Sequence, residues 1–226
     1  MGSYGFSRRR MRTVVECIWG KKFQVTGTEN IPRSDSAVLA ANQTTHLDPL
    51  FLALAVRRPI HFVGLDDHGE LEPWYTPLLY EMMGVIHLTG NLAQHGGREF
   101  LSEVDDAVRY RELIGIFPEG RLELKRDRTQ IAPFHRGALV IGRRYHIPIV
   151  PVLMEGMEEV MPNSTAHLRE RVHVAPIRVV VGRPMDALDE DERCLREAIL
   201  QLKYGCGPSQ ANAWEDRRNG LHHLAS

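Results

Sequence analysis

The sequence predicts a single α/β domain built around a largely parallel central β-sheet that is flanked by helices. Short runs of β-branched and other apolar residues alternate along the chain with longer segments of helical periodicity. This alternation is typical of parallel sheets, in which helices connect successive strands. The 226 residues contain no internal repeat and fit one large domain, so the pattern requires no second domain.

The predicted elements follow one another along the whole chain. The apolar runs that predict strands comprise residues 23–26, 37–41, 60–63, 85–88, 113–117, 149–154 and 177–181. The segments with apolar residues at helical spacing comprise residues 49–56, 74–83, 98–111, 135–145 and 190–204. Two predicted loops, 119–134 and 158–171, are longer than a tight connection requires, and long loops in compact domains are often functional.

Both ends of the chain differ in composition from residues 23–205. Residues 1–22 place several arginines before a brief apolar segment, which predicts an N-terminal basic amphipathic helix. This segment lacks the long apolar region and the small-residue cleavage site of a signal peptide. Residues 206–226 lack hydrophobic periodicity and are predicted to form a flexible C-terminal tail.

Composition excludes several classes of protein. The 28 Lys and Arg residues nearly balance the 29 Asp and Glu residues, so no overall basic field would attract nucleic acid. No apolar run approaches the ~20 residues that cross a bilayer. Cys17, Cys194 and Cys206 have neither zinc-site nor disulfide spacing, which predicts a cytoplasmic protein. The basic amphipathic helix predicted for residues 1–22 would allow peripheral contact with a membrane surface. The histidines lack metal-site spacing, so no metal and no bound cofactor are predicted.

A short polar stretch, NQTTHLD, separates a predicted buried strand from a predicted helix at Asn42–Asp48. Rigid elements hold the side chains of such a junction, which suits binding or catalysis. A second interpretation requires no function. Thr44 or Thr45 would cap a helix that begins near Leu47, and Asp48 would lie favourably at the positive end of the helix dipole.

A second junction has the same character. The apolar run LIGIF leads into Glu119, Gly120 and Arg121, where glycine allows the backbone to turn or to approach a ligand closely. A carboxylate beside a guanidinium could orient an anionic or hydroxylated substrate. Basic residues continue from Arg121 to Arg136, and they fit either a solvated loop or a site for phosphate or a lipid headgroup.

Four blocks in this order resemble the glycerolipid acyltransferases of the 1-acylglycerol-3-phosphate acyltransferase (PlsC-like) type. That family carries N-H-x-x-x-x-D after a strand, then G-x-I-x-x-x-R, F-P-E-G-T-R-S and an apolar P-I-V-P-V segment. The corresponding stretches are NQTTHLD (42–48), GVIHLTG (84–90), FPEGRLE (117–123) and IPIVPV (147–152). The resemblance implies the PlsC-like acyltransferase fold, with residues 23–205 as an acyltransferase-like domain.

The resemblance also implies a reaction and its partners. A fatty acyl group would pass from an acyl-CoA or acyl-carrier-protein thioester to a hydroxyl of a lysophospholipid or related lipid acceptor. In the family's scheme the histidine of the first block removes the hydroxyl proton, and the aspartate, here Asp48, orients that histidine. Glu119, Gly120, Arg121 and Arg136 are then expected to bind substrate.

The chain departs from the family's motifs at three positions. Gln43 occupies the histidine position, and an amide cannot act as a general base near neutral pH. Losing a positioned base typically removes ~10²- to 10⁴-fold of rate. Gly90 stands at the position of the family's phosphate-binding arginine, and Leu122 at that of the third-block arginine. Arg121 supplies a positive group one position earlier, although guanidinium recognition of phosphate depends on geometry.

Two hypotheses from different classes follow from the degenerate motif. The first is a lipid acyltransferase in which Gln43 or His46 contacts the acceptor hydroxyl, with His46 as a substitute base. The second is a catalytically inactive homologue that binds lipid or acyl thioester. The sequence alone leaves open whether the protein is an enzyme.

Overall fold

The structure is a computed structural model. The structure describes residues 13, 15, 17–45, 47–66, 85–89, 104–120, 130–160 and 173–204. Four predicted site positions, His46, Gly90, Arg121 and Leu122, lie outside these ranges, as do the predicted helix 74–83, most of residues 1–22 and the predicted tail 206–226.

The described residues form one central sheet of seven strands. Its strands are β1 (Phe23–Thr26), β2 (Val38–Ala41), β3 (Ile60–Asp66), β4 (Val85–Thr89), β5 (Leu113–Ile116), β6 (Ile149–Glu155) and β7 (Ile177–Val181). Their order across the sheet is β1-β7-β6-β2-β5-β3-β4, and the β6–β7 pairing is antiparallel while the others are parallel. The predicted single domain with a largely parallel sheet is confirmed.

Helices connect and cover the strands. They are α1 (Asp48–Ala55), α2 (Gly137–Tyr145), α3 (Met157–Val160) and α4 (Glu192–Lys203), with 3₁₀ turns at Gly20–Lys22 and Thr28–Asn30. Residues 104–109 are also helical, within the predicted helix 98–111. The prediction of a loop over 158–171 is wrong at its start, because α3 buries Met157 and Val160 in the core.

Strand β2 contributes side chains to both faces of the sheet. Leu39 and Ala41 belong to one apolar cluster, whereas Val38 and Ala40 belong to the other. All four residues of the strand are buried, as expected for a central strand covered on both sides. Both faces of the sheet at β2 are therefore covered, and polar side chains are expected at the ends of its strands.

The described part of the N-terminal segment packs against the domain. Residues 13, 15 and 17–19 are helical, and the Trp19 ring meets the Phe51 ring of α1 edge-on, with centroids 5.3 Å apart. Ile18 on the same segment is 51% exposed. Within the described ranges, no helix is both long enough and apolar enough to span a bilayer.

The connections after β2 and β5 run in opposite directions along the sheet. From β2 the chain passes through α1 to β3, which lies beyond β5; from β5 it passes through α2 to β6, on the far side of β2. Helix α1 packs in one apolar cluster and α2 in the other, so the two connections cover opposite faces. In open α/β sheets, ligands bind outside the carboxyl ends of the strands at such a switch point.

Candidate active site

Asn42 leaves β2 at the carboxyl edge of the sheet and remains paired with the neighbouring strand. Its Nδ2 donates to the Met154 carbonyl oxygen at 2.9 Å, and its Oδ1 accepts from the Met154 N–H at 2.8 Å. The side-chain amide thus replaces a peptide group where the β2–β6 ladder ends. This contact, made by a side chain that is 4% exposed, fixes the point at which the polar stretch begins.

Replacing Asn42 with Ala is expected to lower the free energy of unfolding by about 2 kcal/mol, because the N–H and the carbonyl of Met154 both lose buried partners. Denaturant unfolding of the wild type and the variant measures this difference. Asn42→Asp is the matched control, since it keeps one acceptor but places the other oxygen against the Met154 carbonyl. A variant Asn42→Ala as stable as the wild type would show that the amide does not stabilise the strand end.

Asp48 is the first residue of α1 and is completely buried. Its Oδ2 accepts from the backbone N–H of Thr45 at 2.9 Å, and also from the backbone N–H and the hydroxyl of Thr44. Its Oδ1 accepts from the Thr45 hydroxyl at 2.9 Å. Four donors from two adjacent residues therefore surround one carboxylate, and they close the polar stretch into a rigid turn.

The expected capping role of the threonines is wrong in its geometry. Neither threonine hydroxyl accepts a hydrogen bond from the first turn of α1, whose N-cap residue, Leu47, makes no side-chain cap; the backbone carbonyl of Thr45 accepts from the N–H of Asp48 at 3.4 Å. The hydroxyls instead donate to Asp48, and Thr45 Oγ1 accepts only from the N–H of Leu47, at 3.2 Å. The reason is that a fully buried carboxylate without donors would be strongly destabilising, and the two hydroxyls are side-chain donors that reach it.

Burial raises the pKa of Asp48 from its ordinary value of 3.8 to about 6, while the hydrogen bonds from Thr45 and Thr44 act in the opposite direction. Loss of hydration penalises the charged carboxylate, and the four donors offset only part of that penalty. At neutral pH the group is mainly ionised. Asp48 thus places a negative charge against Thr44 and Thr45, and it becomes protonated as the pH falls below about 6.

Glu119 connects three segments at the switch point. It follows β5 and is 7% exposed; its Oε1 accepts from the N–H of Gln43 at 2.9 Å, and its Oε2 accepts from the N–H of Ala132 at 2.8 Å. The carboxylate thus spans the crevice between the ends of β2 and β5. Sequence analysis predicted Glu119 as a substrate-binding residue, and the structure places both of its oxygens on backbone N–H groups.

Gln43 lies at the centre of this arrangement. Its side chain is half-buried, and its backbone N–H is held by Glu119. The amide at this position can donate to or accept from a hydroxyl, but it has no proton to exchange near neutral pH. Residue 43 therefore supplies a polar group at the switch point that cannot itself act as a base near neutral pH.

Gly120 forms the turn after Glu119 with a positive φ of 80°, a conformation that favours glycine. A Cβ atom at this position would lie 2.7 Å from Cδ2 of the His135 ring. The N–H of His135 donates to the carbonyl oxygen of Pro118 at 2.7 Å. The absence of a side chain at Gly120 thus lets the exposed imidazole of His135 lie directly on the turn.

Helix α4 supports the segment that carries His135. Arg196 Nη2 donates to the Ile131 carbonyl at 2.6 Å, and its Nε donates to the Ala132 carbonyl at 3.1 Å. Arg136, a predicted substrate-binding residue, is exposed, and its Nε lies 3.3 Å from Glu192 Oε1. The described residues contain no cluster of three or more His, Cys, Asp or Glu side chains that could hold a metal ion.

The structure thus brings Gln43, Asp48, Glu119 and Gly120 to one edge of the sheet. Sequence reasoning missed the pairing of Asn42 with β6 and the support from Arg196, because both depend on segments more than sixty residues apart. A polar residue directly after a buried strand was the available signal for Asn42. No local signal distinguishes Arg196 from other helix-surface arginines.

The fold and the switch-point site define an α/β protein with a largely parallel sheet and a polar crevice at the carboxyl ends of its strands. The chain belongs to the acyltransferase family, whose model matches residues 22–155. It is similar to a chloroplastic 1-acyl-sn-glycerol-3-phosphate acyltransferase of Brassica napus, with 22% identity over 83% of this chain and 54% of the relative. It also resembles the enzyme of that name in Borreliella burgdorferi, with 28% identity over 60% of this chain and 52% of the relative.

Other relatives are matched over more of their length. The 1-acyl-sn-glycerol-3-phosphate acyltransferase of Bacillus subtilis is 21% identical over 82% of this chain and 84% of its own. The crystal structure of the 1-acyl-sn-glycerophosphate acyltransferase PlsC from Thermotoga maritima superposes with a TM-score of 0.54 and 19% identity, covering 89% of this chain and 80% of that one. The predicted PlsC-like fold is confirmed, and the chain spans about half the length of the Brassica and Borreliella relatives.

Proposed function

We propose that this protein transfers a fatty acyl group from an acyl-CoA or acyl-carrier-protein thioester to a hydroxyl of a lysophospholipid or a related lipid acceptor. The observation that carries the proposal is the Gln43–Glu119 hydrogen bond across the switch point, at 2.9 Å. It joins the first and third family blocks where an α/β fold places its ligands. The rigid Asp48 turn holds the first block in position for substrate.

The acceptor follows from the residues at the family's phosphate-binding positions. Gly90 and Leu122 carry no charge where the family carries arginines, so a small phosphate monoester would lose its cationic partners. Gln43 can hydrogen-bond a hydroxyl in either direction. A lipid whose affinity comes mainly from its acyl chains and its hydroxyl therefore fits better than glycerol 3-phosphate.

A second candidate function is binding of lipid or acyl thioester without turnover. Gln43 favours it, because the family's base position holds an amide. The two candidates differ in one product: only transfer releases the free thiol of the donor. Affinity for acyl-CoA alone does not distinguish them.

Purified protein incubated with a panel of acyl-CoA and acyl-carrier-protein donors and lysophospholipid acceptors is expected to release thiol and form acylated lipid. Thiol titration and mass spectrometry of the lipid measure both products. The same donors without acceptor are the control, because acceptor-independent release would indicate thioesterase activity. Donor binding without any product would favour the second candidate function.

Restoring an imidazole with Gln43→His is expected to raise the rate of acyl transfer by about 10-fold or more, since a positioned base lowers the barrier for deprotonating the acceptor hydroxyl. Among the described residues, Asp48 Oδ1 accepts one hydrogen bond, from the Thr45 hydroxyl, and a carboxylate oxygen can accept a second. The second position is available to the introduced imidazole. Gln43→Asn is the matched control and is expected to give no gain. Equal rates for Gln43→His and Gln43→Asn would mean that residue 43 does not contact the reacting hydroxyl.

A further inference from the structure

We infer that His135 supplies the general base for acyl transfer in this protein, in place of the imidazole that Gln43 lacks. The inference rests on the proposed function. It assigns a catalytic role to a residue outside the four family blocks. The reasons are its position, its accessibility and the state of its neighbours.

The position of His135 is fixed at the third family block. Its ring lies on Gly120, where an added Cβ would come within 3.1 Å of Nε2, and its backbone N–H is bonded to Pro118. Glu119, adjacent to Gly120, holds the N–H of Gln43. The Glu119–Gly120 turn thus contacts Gln43 through the Glu119 carboxylate and the His135 ring through Gly120. An acceptor that contacts Gln43 therefore lies beside the turn that carries the ring.

The carboxylates of the site are poor alternatives as bases. Asp48 is fully buried and accepts four hydrogen bonds from Thr44 and Thr45. Glu119 is 7% exposed, and each of its oxygens already accepts a backbone N–H. In contrast, His135 is exposed, and no hydrogen bond or ion pair within the described ranges involves its ring nitrogens.

Charged groups around His135 come from three elements. Glu119 lies on the same turn; Arg136 is the next residue and pairs with Glu192 of α4; Arg196 of α4 binds the backbone of residues 131 and 132. The charge of Arg136 is thus paired with Glu192, Arg196 is directed at backbone carbonyls, and Glu119 is directed at backbone N–H groups. An exposed imidazole nitrogen can take the proton of an acceptor hydroxyl, as a general base must.

The step balances without a further reactant. A ring nitrogen of His135 takes the proton of the acceptor hydroxyl while the hydroxyl oxygen bonds to the thioester carbonyl carbon. The tetrahedral adduct collapses, the carbon–sulfur bond breaks, and the thiolate leaves with the electron pair. The imidazolium then returns its proton to the thiolate, so the products are an ester, a free thiol and a neutral histidine.

The test is a double-mutant cycle. The wild type, His135→Gln, Gln43→His and the double variant are assayed for kcat, KM and the pH dependence of the rate. His135→Gln is expected to reduce kcat by about 10²-fold or more with little change in KM, and to remove the fall in rate on the acidic side of the pH profile. Adding Gln43→His to it is expected to restore activity. His146→Asn is the control, because that exposed histidine ends α2 at the opposite edge of the sheet in a left-handed conformation that Asn tolerates.

A further variant, His135→Ala, tests the chemistry separately from packing. Added free imidazole is expected to restore part of its rate, which a purely structural role of His135 would not allow. An unchanged kcat for His135→Gln would overturn the inference and leave the proposed function standing. Activity in Gln43→His beside an inert wild type would overturn both and favour binding without turnover. Inactivity of the wild type and of every variant, with every donor and acceptor, would instead refute the proposed function, and the inference with it.

Discussion

Replacing Asp48 with Ala is expected to lower the free energy of unfolding by about 3 kcal/mol, because four donors would lose their acceptor in the core. These donors are the backbone N–H groups and hydroxyls of Thr44 and Thr45, which are 8% and 0% exposed. The turn would then lose the contact that closes it. Chemical denaturation at pH 7.5 measures the stability, and the acyl-transfer assay measures the expected accompanying loss of activity.

Asp48→Asn is the matched control and also tests the raised pKa of Asp48. Because the folded pKa of about 6 exceeds the ordinary 3.8, the folded protein binds more protons than the unfolded chain between those values. The contribution of Asp48 to stability is therefore greatest below pH 4 and falls as pH rises to about 6. With ~1.4 kcal/mol for each pKa unit, the loss amounts to about 3 kcal/mol.

The difference in unfolding free energy between wild type and Asp48→Asn is thus expected to decline from pH 4 to pH 7 and to stay constant above it. Asn does not titrate, so other groups cancel in this comparison. A difference that increases with pH over the same range would mean that the four hydrogen bonds outweigh burial and that the pKa of Asp48 is lowered.

Replacing Glu119 with Ala is expected to lower the free energy of unfolding by about 2–4 kcal/mol and the rate of acyl transfer by about 10²-fold. The backbone N–H groups of Gln43 and Ala132 would both lose their acceptor, and the crevice would no longer be bridged. Small displacements of groups that position substrate are costly in rate. Thermal denaturation and steady-state kinetics measure the two effects.

Glu119→Gln removes the negative charge while it keeps a side chain of the same shape, so it distinguishes the effect of the charge from that of the two hydrogen bonds. It retains one acceptor oxygen but turns an NH₂ group towards the second backbone N–H, so an intermediate stability is expected. Equal stability of Glu119→Ala and the wild type would show that the bridge contributes nothing to the fold. Lower stability with an unchanged rate would show that it supports the loops without positioning the site.

Much of the fold could be predicted from local pattern. Both β1 and β7 occur where their apolar runs predict them, and β2, β5 and β6 differ from prediction by one residue at an end. Buried strands in a parallel sheet are continuous apolar runs, so the signal is strong at each of these places. The start of α3 was missed because four residues provide little helical periodicity.

The candidate site was predictable as a set of positions and not as a set of contacts. The blocks around Asn42–Asp48 and Glu119–Gly120 were identified because polar residues interrupt apolar runs. Their partners were not: Asp48 binds its own turn, Glu119 binds two backbone N–H groups, and His135 lies on Gly120. These pairings depend on how separated segments pack.

The sequence by itself determined the α/β class, the order of the strands along the chain and the absence of an imidazole at residue 43, since each is encoded in local residue type and spacing. Only the tertiary structure decided which polar groups are available for chemistry. Burial and the direction of hydrogen bonds set that availability, and both arise where β2, β5 and the segment before α2 meet. The folded arrangement commits Asp48 and Glu119 to the protein and leaves the ring of His135 facing solvent.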